Sequence, residues 1–94
     1  MPRWILTRHI VIVDSMTFTP PTLTLVPGDC VQWEFKQSGH SVVSDPTQFG
    51  DKPFDSGIQV VGATFEHVYK TSGVYPYHCG SMPGMKGVVT VGAP

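Results

Sequence analysis

Pro27-Gly28-Asp29-Cys30-Val31-Gln32-Trp33-Glu34-Phe35 is the stretch whose reading decides the fold. Pro-Gly-Asp is turn chemistry: proline presets φ, glycine accepts a positive φ, and aspartate caps its own backbone. Beyond the turn, Val31, Trp33 and Phe35 fall on one face and Cys30, Gln32 and Glu34 on the other. That period of two belongs to a strand with one side against a core. Trp33 is expected inside, and Cys30 on the face away from it.

Working outward, the same signals repeat. Toward the N-terminus, Thr22–Val26 and the β-branched run His9–Val13 read as strands. Toward the C-terminus, Ser38-Gly39 bends the chain before an expected strand at His40–Val43. Asp45–Gly57, rich in proline, aspartate and glycine, reads as a long irregular loop. Ile58–Val61 and Ala63–Tyr69 are further expected strands, Thr71-Ser72-Gly73 is a turn, and Val74–Cys79 and Lys86–Val91 complete the series. Nine prolines and ten glycines break the chain at short intervals, and no stretch shows helical periodicity. The expectation is an all-β Greek-key sandwich of seven to eight strands. Its 94 residues suit a single domain spanning 1–94, with roughly 60–65% of the unfolded chain's surface buried.

Six basic and seven acidic residues give a net charge of −1, and no Lys/Arg cluster occurs, which argues against nucleic acid as a partner. The longest apolar run, Ile10–Val13, is strand-sized, so no membrane span is expected. Trp4-Ile5-Leu6 after Arg3 is too short for a signal peptide's hydrophobic region, so no signal peptide is read in this chain. The two cysteines lie far apart and form neither a zinc motif nor a Cys-x-x-Cys pair.

The chemistry concentrates in Tyr75-Pro76-Tyr77-His78-Cys79-Gly80-Ser81-Met82-Pro83-Gly84-Met85-Lys86-Gly87, an expected strand ending in a cysteine and followed by a loop with two methionines. Thiolate and thioether donors favour copper, Cu(I) above all, and a His/Cys set with a weak axial methionine marks copper electron-transfer centres. His40, just after the Ser38-Gly39 bend, is the best-placed imidazole, because a strand end can face the same pole as the loop after Cys79. His78 alternates away from the face of Tyr77 and Cys79 and is not counted as a ligand. His67 shares a face with Phe65 and Tyr69 and is expected to be a partly buried imidazole. His9 is expected to be an exposed strand residue, and Cys30 to have no metal or disulfide role. Cys79, Met82 and Met85 have an ordinary alternative as small or flexible core residues.

Phe18-Thr19-Pro20, Leu23-Thr24-Leu25, Gly28-Asp29-Cys30-Val31-Gln32-Trp33, Gly39-His40-Ser41-Val42, Phe65–Tyr69, Gly73-Val74-Tyr75 and the Tyr77–Gly87 loop together resemble, in order and over nearly the whole chain, the cupredoxin family of plastocyanin, amicyanin and pseudoazurin. The resemblance implies a mononuclear copper centre held by His40, Cys79 and Met85. In the family's Cys-x-x-His-x-x-Met spacing, the position of the second histidine is occupied here by Met82. Three readings stay open: a natural His/Cys/Met/Met centre, a His-to-Met replacement in an ordinary blue copper protein, or a centre that has lost tight copper binding. If Met82 binds the metal, its thioether favours Cu(I) and raises the reduction potential. Because copper needs Cys79 deprotonated and His40 neutral, acid should weaken the site.

Resemblance further implies a monomeric, non-enzymatic carrier of single electrons, periplasmic or extracytoplasmic, serving redox partners such as cytochromes or copper oxidases. An alternative is a Cu(I) carrier or chaperone on the same fold, separable by whether copper is kept through electron transfer or handed to an acceptor. A metal-free interaction module is a third possibility, tested by whether the protein holds stoichiometric copper.

Overall fold

The computed structural model of the chain describes residues 7–46 and 53–92, and these form eight strands and no helix. The strands are β1 (Arg8–Asp14), β2 (Thr17–Thr19), β3 (Thr22–Leu25), β4 (Cys30–Phe35), β5 (Val43–Ser44), β6 (Thr64–Val68), β7 (Gly73–Cys79) and β8 (Met82–Val91). Trp4-Ile5-Leu6 and residues 47–52 of the expected loop lie outside the described residues.

Two four-stranded sheets result, ordered β2-β1-β4-β6 and β3-β8-β7-β5. Each contains one parallel pair, β1 with β4 and β3 with β8, so the chain crosses between the sheets and builds the Greek-key sandwich that the punctuation implied. Alternation then decides what lies between them. Val31, Trp33 and Phe35 of β4 have no exposed surface, and Tyr77, Cys79 and Val89 face them from the other sheet. Tyr77 joins the layers, its ring 4.7 Å from Phe18 and 5.3 Å from Trp33, both edge-on. Burial pushes its hydroxyl up to about 12.

Tyr77 can lie flat on the neighbouring strand because Gly87 is opposite it in the ladder. A Cβ at Gly87 would come within 2.3 Å of the Tyr77 ring.

Where structure and sequence expectation differ, hydrogen-bond supply explains it. His40–Val43 was expected as a strand, yet only Val43–Ser44 pairs with β7. Its upstream amides are used otherwise: Ser41 N–H points at the Cys79 sulfur and Val42 N–H donates to Ser56 Oγ. Ile58–Val61 forms no strand despite its β-branched composition. Gln59 alone bridges to His40, and Ile58, Val60 and Val61 project into solvent. Lys86–Val91 is longer than expected, beginning at Met82. β2 was not foreseen. It pairs with β1 through a two-residue turn in which Ser15 and Met16 both take positive φ (52° and 61°), the shape usually signalled by Asn-Gly. Asp14 Oδ1 accepts the Ser15 N–H at 2.8 Å and holds that turn.

Candidate metal centre

Cys79 ends β7, and His40 sits in the segment running beside that strand end. The structure brings these two together across 39 residues of sequence: the Cys79 sulfur is 3.6 Å from His40 Nδ1. Both are buried, Cys79 completely and His40 at 4% exposure. The ring is turned by Gln37, whose Oε1 lies 2.6 Å from His40 Nε2. A glutamine oxygen only accepts, so Nε2 carries the proton and the lone pair of Nδ1 faces the sulfur. A carbonyl-type partner on the far nitrogen of a ligating imidazole is the usual way such a ring is fixed.

Met82 comes opposite Cys79 through an irregularity in the β7–β8 ladder. His78 pairs with Lys86, but the next residue, Cys79, pairs with Met82. Three residues, Pro83-Gly84-Met85, are therefore left out of register, while Gly80-Ser81 alone forms the turn. Pro83 and Gly84 are exposed; Met85 folds inward to 4% exposure and joins the core cluster containing Cys79. Met82, half-buried, packs against that same cluster.

Burial acts to push the Cys79 thiol up. Hydrogen bonds from the Ser81 hydroxyl, the Ser41 N–H and the Ser81 backbone outweigh it and bring the thiol down to about 6 from 9.0. Ser81 Oγ is 3.2 Å from the sulfur and Ser41 N is 3.4 Å from it. A thiol so placed is a thiolate at neutral pH, the form that binds metal.

The donors fit copper. With metal–sulfur and metal–nitrogen bonds of about 2.3 and 2.0–2.1 Å, taken from tetrahedral zinc as a yardstick, a 3.6 Å separation subtends an angle of about 110° at a shared ion. One thiolate, one imidazole with its lone pair free and two thioethers make a soft set suited to Cu(I).

The other sequence candidates are accounted for elsewhere. His78 faces away from the site and pairs with Asp45 at 2.5 Å. His67 lies among rings, 4.6 Å from both Phe54 and Tyr69. His9, expected to be exposed, is half-buried and reaches Asp29 Oδ2 at 3.1 Å. Cys30 is a free thiol facing Glu66, 3.7 Å from its Oε2, and burial together with that carboxylate pushes it up. Among the described residues, no group of three or more His, Cys, Asp and Glu side chains is placed to hold a metal ion.

Gln37, Ser41 and Ser81 were not singled out as site residues from the sequence. Ser41 follows His40 directly and Ser81 lies two residues after Cys79, which was the available signal. Gln37 gave none, since its role depends on the Ser38-Gly39 bend folding its side chain back over His40.

Comparison with known proteins finds a copper-binding family and copper proteins of similar fold. A family model described as copper binding proteins of the plastocyanin/azurin family matches residues 9–92. An amicyanin variant in the reduced Cu(I) form at pH 4 is similar at 26% identity, with 90% of this chain and 82% of that chain covered and a TM-score of 0.81. Amicyanin from Paracoccus versutus superposes with the same TM-score of 0.81 at 23% identity, over 90% of this chain and 81% of that one. A copper-containing nitrite reductase from Thermus scotoductus SA-01 gives 0.83 at 24% identity, over 93% of this chain but 23% of that chain. The search of curated proteins finds no match.

Proposed function

Because this chain belongs to the plastocyanin/azurin family of copper-binding proteins, we propose that it carries single electrons between redox partners through a mononuclear copper centre held by His40, Cys79, Met85 and Met82. One observation carries the reading: His40 Nδ1, its tautomer set by Gln37, faces the Cys79 sulfur at 3.6 Å inside a buried site.

Copper is the cofactor, and it supplies the one-electron couple. The chain's own residues supply everything else. Cys79 and His40 are anchored to different elements, so the sandwich keeps their separation whatever the charge of the ion. Burial of Cys79, His40 and Met85 excludes water, which holds reorganisation small. Met85, turned into the core by the alternation of β8, would offer a thioether, and Met82, in place of an imidazole, would shift preference toward Cu(I).

In this reading residues 1–94 are one copper-binding domain, a monomer and not an enzyme, since a lone mononuclear centre offers no second metal for a substrate. It works outside the cytoplasm with redox proteins such as cytochromes or copper oxidases. Weak encounters of that kind bury little surface. The thioether at position 82 also favours a second reading, a Cu(I) carrier. Retention of copper through repeated oxidation and reduction supports the electron carrier, and rapid transfer to a chelator supports the alternative.

The test is an anaerobic Cu(I) titration followed by oxidation, with visible absorption from thiolate-to-Cu(II) charge transfer as the readout. The protein should take up one copper, Cys79→Ala should lose it, and Met82→His should deepen the colour of the oxidised form. Identical behaviour of Cys79→Ala and the parent sinks the site.

A further inference from the structure

Two serines join the segment around His40 to the turn after Cys79, in opposite directions. Ser41 Oγ accepts the Gly80 N–H at 2.9 Å, and Ser81 Oγ donates to Gly39 O at 2.7 Å. The two segments approach so closely that a Cβ at Gly80 would lie 2.9 Å from Ser41 Oγ. Ser81 is the half of this clasp that also touches the metal-binding sulfur, at 3.2 Å.

We propose that Ser81 is a positioning residue of the copper centre: its hydroxyl bridges the Cys79 sulfur to the Gly39 carbonyl, fixing the two ligand-bearing segments against each other and weakening the sulfur's donation to oxidised copper. The inference rests on the copper-centre reading above.

The physical argument is one of donors and acceptors. A hydroxyl has one proton and two lone pairs, and Gly39 O can only accept. A metal-bound thiolate can only accept as well, so one proton serves two acceptors, one on each ligand-bearing segment. Hydrogen bonds to an ionised acceptor are about twice as strong as those between neutral groups, so the thiolate holds its share. Electron density drawn toward that proton is withheld from the ion. Cu(II) depends on thiolate donation more than Cu(I) does, so the bond favours the reduced state. The alternative occupant of this role, Ser41 N–H at 3.4 Å, is a backbone group that substitution does not remove. Ser81 is thus where sequence can set the property.

The experiment compares Ser81→Ala and Ser81→Thr with the parent in the full chain. In the copper-loaded protein, Ser81→Ala should change the ratio of Cu(II) to Cu(I) affinity by about tenfold in favour of Cu(II), a fall of about 59 mV in potential. The charge-transfer band should move to longer wavelength, and Ser81→Thr, which keeps the hydroxyl, should restore both. In the metal-free protein the His40 amide, which shares its peptide group with Gly39 O, should shift by nitrogen-15 NMR in Ser81→Ala and return in Ser81→Thr. Copper-loaded Ser81→Ala with unchanged potential and band overturns the proposal and leaves the centre standing. Absence of copper uptake by the parent instead overturns the reading on which the proposal depends. A threonine variant that behaves like alanine shows that bulk, not the hydroxyl, is at work, and also overturns it.

Discussion

Titration of Cys79 gives the sharpest check on the site before any metal is added. Its thiol is brought to about 6 from 9.0, whereas Cys30, the only other thiol, is pushed up. At pH 7.5 the difference is nearly complete ionisation, about 97% thiolate at a pKa of 6 against about 3% at 9.0. Thiolate absorbance in the near ultraviolet, followed against pH in the metal-free protein, should rise in two separated steps. Cys79→Ser should remove the lower step and Cys30→Ser the upper.

Stability must follow the same sign. Between pH 6 and 9 the unfolded chain keeps the Cys79 proton and the folded chain does not, so folding stability rises with pH across that window. The contribution is complete above pH 9 and gone once pH has fallen through 6. Three pH units correspond to at most about 4 kcal/mol. Urea unfolding at pH 6.5 and 8.5, compared between the parent and Cys79→Ser, isolates the contribution of this group. A single step near pH 9 in Cys30→Ser, or the same pH dependence of stability in the parent and Cys79→Ser, would refute the hydrogen-bond argument for the thiolate.

Two other substitutions probe what supports the ligands. Gln37→Ala removes the acceptor that fixes the His40 tautomer and should cost about 10–100-fold in copper affinity, while Gln37→Glu keeps an acceptor and should cost much less; competition with a chelator reads both. Gly87→Ala places a methyl 2.3 Å from a Tyr77 ring that Phe18 and Trp33 hold from the other side. Overpacking there should cost about 2–3 kcal/mol and lower Tm by roughly 10–20 °C, with a loss under 0.5 kcal/mol showing that the ring has room to move.

Much of the sandwich was readable because its strands carry their burial in their alternation. Cys30–Phe35 was bounded correctly because a Pro-Gly-Asp turn precedes it and one face is wholly apolar. Ile58–Val61 misled for a related reason: β-branched residues suit a strand, but a strand also needs a partner, and here only Gln59 has one. β2 was hidden by its turn. Ser15-Met16 lacks the residues that normally accept positive φ, so the hairpin is held by Asp14 and by the burial of Phe18 instead.

At the candidate metal centre, residue type pointed to donors but not to what surrounds them. A thiol, an imidazole and two thioethers announce copper by softness, and the family spacing orders them. Nothing in the sequence states that Cys79 pairs with Met82 directly, leaving Pro83-Gly84-Met85 out of register. That irregularity matters because strict alternation from Lys86, which turns Met85 inward, would turn Met82 outward and away from Cys79. A ladder that skips three residues removes the conflict. Alternation keeps Met85 in the core while the tight Gly80-Ser81 turn keeps Met82 beside Cys79. The tight turn also delivers the Ser81 hydroxyl to both the thiol and the Gly39 carbonyl. The places of the Met82 side chain and of the Ser81 hydroxyl are therefore two consequences of one backbone feature.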